Sequence, residues 1–154
     1  MAPVVIDATG VGEYSALEGR PIPAHHFFAL SGPGYKSHDD AGNFAVHGLG
    51  DSTILSFPHI RDIPRSANIV LRVAMQHASL ALSVRFGSAS GPQVCHTALP
   101  ATFNGKDPVQ WVDITCETSK PLPKEMSLVL VFSALDSEAS NATGEGRLAS
   151  LSFV

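Results

Sequence analysis

Apolar and polar residues alternate along most of this chain with a period of two. In NIVLRVAM, Ile69, Leu71, Val73 and Met75 fall on one face. In SLALSVRF, Leu80, Leu82, Val84 and Phe86 do the same, with Ala81, Ser83 and Arg85 opposite. Val112, Ile114 and Cys116 share a face of WVDITCET, whereas EMSLVLVFSA is apolar on both faces. Period two predicts strands, and the doubly apolar run predicts a strand covered on both sides. VVIDA at the start and RLASLSFV at the end also read as strands. The intervening SGPG, GSASGP, NGKDP, SKPLP and SNATGEG are turn chemistry, and no stretch sustains a helical period. About eight or nine short strands separated by turns predict an all-β fold, an antiparallel β-sandwich. Without internal repeat or linker, residues 1–154 are expected to form one domain.

The same alternation orients Trp111, the only tryptophan. Asp113, Thr115 and Glu117 share its face, so the indole points away from the core unless a bulge shifts the register. An outward indole is either a stacking platform for a ligand or a plug under a loop at the sandwich edge.

Composition narrows the function. The chain is 44% hydrophobic and 16% charged with net charge −4, which excludes disorder and argues against binding nucleic acid through its phosphates. No segment approaches a membrane span. MAPVVIDATG lacks the basic and long apolar regions of a secretory signal, so a cytoplasmic location is expected, or secretion if a leader has been removed. Cys95 and Cys116 are too few for a disulfide scaffold. They are expected as reduced, buried, small apolar residues in the cytosol, or as one disulfide if the protein is secreted. Asn141-Ala142-Thr143 fits a glycosylation sequon, which has meaning only on secretion.

The order of segments resembles the family 6 carbohydrate-binding modules, which share a galactose-binding-like jelly roll. Ile6-Asp7-Ala8-Thr9 stands for their opening strand, Glu13-Tyr14-Ser15 follows, and Gly50-Asp51 leads the apolar run Ile54-Leu55-Ser56-Phe57. Ile63-Pro64 then precedes Leu71-Arg72-Val73-Ala74, and the last strand ends in Phe153. The resemblance implies a non-catalytic lectin whose site lies in loops at one end of the sandwich. Of that family's W-x-x-W pair, Trp111 matches the second member and Pro108 replaces the first. The family's tyrosine falls near Val46, with Phe44 two residues earlier, and its last-strand asparagine falls near Arg147. Asp7 matches one acidic ligand of the family's calcium, while Thr9 and Ala149 stand where others are expected. A hard cation wants six to eight oxygens, so no metal or other cofactor is expected.

With the family's aromatic partner missing, edge packing is the favoured role for Trp111. The richest polar-aromatic stretch is HHFFALSGPGYKSHDDAGN, with His25, His26, Tyr35, Lys36, His38, Asp39, Asp40 and Asn43. It mixes flat rings with hydroxyl-binding groups, as a sugar site needs. The candidate ligand-binding set is Tyr35, His38, Asp39, Asp40, Asn43 and Trp111. His25-His26-Phe27-Phe28 reads as the start of a strand, which would send the two imidazoles to opposite faces. G-x-S-x-G, H-E-x-x-H, Cys/His metal spacing and phosphate loops are all missing from the sequence, so catalysis is not expected. The expected partner is a glycan. Homo-oligomers are a further expectation, because sandwiches carry edge strands and sugar binders gain from avidity. The alternative is a self-assembling structural subunit without a sugar ligand.

Overall fold

A computed structural model describes residues 5–6, 14–38, 44–77, 80–104, 108–135 and 146–154. Asp7, Thr9, Asp39, Asp40, Asn43 and the sequon at Asn141 lie outside the described residues. The strands begin with β1 (Val5–Ile6), β2 (Tyr14–Ser15), β3 (Ile22–Pro23), β4 (Ala29–Ser31), β5 (Tyr35–His38) and β6 (Phe44–Leu49). They continue with β7 (Ile54–Arg61), β8 (Ile69–Met75), β9 (Leu80–Phe86), β10 (Gln93–Ala98) and β11 (Val112–Cys116). The last two are β12 (Met126–Ala134) and β13 (Gly146–Phe153). Among the described residues the helical elements are two short 3-10 turns, Leu17–Gly19 and Ala24–His26.

Two sheets face each other. One runs β1-β4-β7-β12-β9-β10, with β2 added to β7; the other runs β11-β8-β13-β6-β5, with β3 added to β13. Every pairing is antiparallel except the two-residue β2–β7 contact. This is the expected all-β sandwich. Phe57, Phe132 and Phe153, with Leu55, Leu71 and Leu130, are wholly buried between the sheets. Burial of such side chains is the main stabilising term, roughly 1.5–3 kcal/mol each.

Alternation gives the core face of β8, β9 and β12, with Leu80, Leu82 and Val84 of β9 in the core cluster. Ala81 and Ser83, on the opposite face of β9, are buried as well, and the Ser83 hydroxyl donates to Gln93 Oε1 at 2.9 Å. Phe86, expected inside, is exposed because it lies at the strand end, beyond Val84, against the Pro92–Gln93 segment.

Cys95 and Cys116 are buried as expected, but they form a disulfide, with Cα atoms 5.8 Å apart. Of the two expected states, reduced thiols or one disulfide, the second is the one formed. β10 closes one sheet and β11 closes the other, so the bond ties two edges together on one side of the sandwich.

Tyr14 anchors the opposite margin. Its ring meets Phe57 edge-on at 5.3 Å, and its hydroxyl donates to the His26 carbonyl at 2.7 Å. Burial pushes its pKa up to about 12. Tyr14→Phe leaves that carbonyl unpartnered and is expected to lower unfolding free energy by about 1 kcal/mol, measured by urea denaturation.

Candidate functional site

An open groove of about 420 Å³ lies on the outward face of the second sheet. Its floor is Arg72, Ala149 and Ser150; Trp111 forms one wall, and Pro23, His25 and Phe44 form the other. From β11 across β8 and β13 to β3 is three strand spacings, roughly 14 Å between backbones.

The floor depends on a bulge. Leu148 pairs with Val73 and Ser150 with Arg72, so Ala149 is an extra residue in β13. Leu148 and Leu151 can then both stay in the core, which leaves Ala149 and Ser150 turned outward side by side. Arg72 alternates away from the buried Leu71 and Val73 and sits directly between Ser150 and Asp113 on the flanking strands. Its Nη1 donates to Asp113 Oδ1 at 3.3 Å.

Trp111 immediately precedes β11 and is partly buried. Continuing the Val112–Val73 register places it on the outward face with Asp113, where alternation puts it. The indole therefore lines open space instead of plugging an edge.

That opposite wall overturns the reading of His25-His26 as strand. Pro23 pairs with Ser150, and its φ of −60° leads the chain into the 3-10 turn Ala24–His26. The turn holds the two imidazoles together, centroids 4.4 Å apart, instead of sending them to opposite faces. His25 stacks on Phe44 at 5.1 Å and 30°. Burial, reinforced by His26, lowers the His25 pKa, so the ring is neutral and able to stack at neutral pH. Its Nδ1 is buried without a hydrogen-bond partner.

The other candidates divide. His38 lies against Phe44, centroids 5.4 Å apart, and is not itself part of the groove lining. Tyr35 and His38 are three residues apart on β5 and point to opposite faces. The Tyr35 ring lies 5.8 Å from His47 and directly over Gly48. Gly48 has φ +71°, and a Cβ there would come within 2.9 Å of the tyrosine ring, so this packing needs glycine twice over. Lys36 sits above the buried Phe27 ring at 5.7 Å. Tyr35 and Lys36 are thus not part of the groove lining, while Arg72, Ser150, Phe44 and His25 are. Arg147, where the family's asparagine falls, lies 6.0 Å over the Phe103 ring.

No known family profile matches the chain. No curated protein matches its sequence. Solved structures do match in shape. A family 6-type module from Clostridium stercorarium in complex with cellobiose superposes with TM-score 0.70 at 22% identity, covering 93% of this chain and 97% of that one. A family 6 carbohydrate-binding module from Clostridium cellulolyticum in complex with xylose gives 0.71 at 16% identity, covering 91% and 98%. A family 43 arabinoxylan arabinofuranohydrolase from Bacillus subtilis, in complex with cellotetraose, gives 0.72 at 15% identity over 99% of this chain but only 33% of the enzyme. The chain has the family 6 carbohydrate-binding-module fold, as the order of its segments implies.

Proposed function

We propose that this protein binds glycans without transforming them, and that the groove walled by Trp111 and the His25–Phe44 stack is its site. One observation carries the reading: an outward indole faces a stacked aromatic pair across a polar floor. A sugar ring offers apolar C–H faces and a rim of polar groups, and such a groove answers both. That solved structures of this fold hold cellobiose and xylose supports the reading. Hydrolysis of a glycosidic bond uses a pair of carboxyl groups flanking it. Asp and Glu are absent from the groove lining among the described residues, which favours binding over catalysis.

The groove site differs from the loop-end site that the family resemblance implies. We also read the Cys95–Cys116 bond as a mark of an oxidising compartment, since such bonds persist there and not in a reducing cytosol.

A glycan array probed with the purified protein tests the function. Binding to a set of related saccharides, competed by the free sugar, is the expected result. Silence across neutral and acidic glycans, together with self-association, would instead support a structural subunit.

A further inference from the structure

The donor and acceptor inventory of the groove says more about the ligand, if the glycan reading holds. Among the described lining side chains, Arg72 alone carries a full charge at neutral pH. Among the described residues the lining holds no Asp, Glu, Asn or Gln, and Pro23, Phe44 and Ala149 bring no polar side-chain group. What remains is the guanidinium, the Ser150 hydroxyl and the indole N–H. Neutral sugar hydroxyls are usually held by groups that accept as well as donate. This lining is rich in donors and poor in acceptors, so it fits a ligand that brings anionic oxygen.

We propose that the groove selects acidic saccharides, with Arg72 receiving the carboxylate of a uronic acid residue stacked on Trp111. The geometry is consistent at each point. A ring stacked against a wall stands with its edge toward the floor. An equatorial carboxylate lies near the plane of the ring and so reaches downward. Arg72 occupies the middle of that floor, one strand from Trp111, with Ser150 directly opposite it on the other flanking strand.

Arg72 has capacity for such a ligand. A guanidinium carries five N–H groups in a planar fork that matches a carboxylate bidentately. Asp113 takes one contact, at Nη1 and 3.3 Å, between side chains that are 49% and 61% exposed. A water-screened pair of that kind is weak, and it leaves the Nε and Nη2 edge open. Among the described residues no other partner of Arg72 occurs. Asp113 shares that outward face and steadies one edge of the guanidinium.

The test compares a galacturonic acid trimer with its carboxyl-reduced counterpart by titration calorimetry, on the wild type, Arg72→Gln, Arg72→Lys and Trp111→Ala. The skeleton is shared, so only the carboxylate differs. The expected result is at least about tenfold tighter binding of the acid form, as loss of a charge-assisted hydrogen bond implies. Added salt should narrow that preference. Arg72→Gln should erase it, and Arg72→Lys should retain part of it, since lysine keeps the charge but not the fork. Thermal melts of both variants check that they fold; the wild-type comparison stands without them. Equal binding of both trimers, lost in Trp111→Ala, would overturn this inference and leave the glycan reading intact. Binding of neither trimer, with silence on the array, would overturn both. Tighter binding of a sulfated trimer than of the uronate would overturn the carboxylate assignment.

Discussion

Trp111→Ala is expected to weaken glycan binding at least about thirtyfold, roughly 2 kcal/mol, while the domain melts close to wild type. Trp111 is partly buried on an outward sheet face and lines the groove. Truncating a fully buried aromatic costs about 3–5 kcal/mol because a cavity is left behind. An indole bordering open space leaves no closed cavity, so the stability cost should fall below that range. The binding cost is large because stacked faces desolvate together, and the His25–Phe44 pair cannot sandwich a sugar without the opposite wall. Calorimetry and thermal denaturation on one preparation check both halves. A variant that melts far lower yet keeps its affinity would restore the edge-packing role favoured by Pro108.

Loss of the Cys95–Cys116 bond is expected to remove about 3 kcal/mol of stability. The crosslink closes 21 residues, and the chain-entropy account of a loop that long gives this magnitude. For a domain of this size, that corresponds to a melting temperature lower by roughly 6–12 °C. The bond joins the free margins of two sheets, β10 and β11, so its loss also frees the edge that leads to Trp111. Cys95→Ala/Cys116→Ala and reductant-treated wild type should show the same drop in thermal denaturation. Two free thiols by titration in the untreated protein, with no response to reductant, would contradict it.

Much of this was legible in the sequence because strands declare themselves locally. The faces of β8 and β11 follow from alternation alone, and the outward direction of Trp111 follows with them. The site was harder because it is assembled across strands. Ala149 and Ser150 reach the groove only through a bulge, and one extra residue in β13 leaves no mark in a period-two pattern until its partners are known. Arg72 looks like any solvated strand residue until Ser150 and Asp113 are placed on either side of it. His25 and His26 read as strand because they adjoin Phe27-Phe28; the turn comes from Pro23 and from the pairing of β3 with β13. Tyr35 reads as a ligand-binding aromatic, yet its exposed ring lies over Gly48 beside His47 and outside the groove lining, a placement that depends on the β5–β6 register. The disulfide joins residues on different sheets, and spacing in sequence says nothing about which sheet edges meet.

The central claim is that a glycan sits against Trp111 in this groove. The chain has one tryptophan, so its indole N–H gives a single resonance and its fluorescence reports one place. Titrating ¹⁵N-labelled protein with a saccharide selected on the array tests the claim most directly. The account predicts that the indole cross-peak shifts in step with binding, together with the amides of Phe44, Arg72 and Ser150, and that the bound glycan protects Trp111 from iodide quenching. Saturable binding that leaves the indole resonance unmoved and iodide access unchanged would place the sugar elsewhere and contradict it.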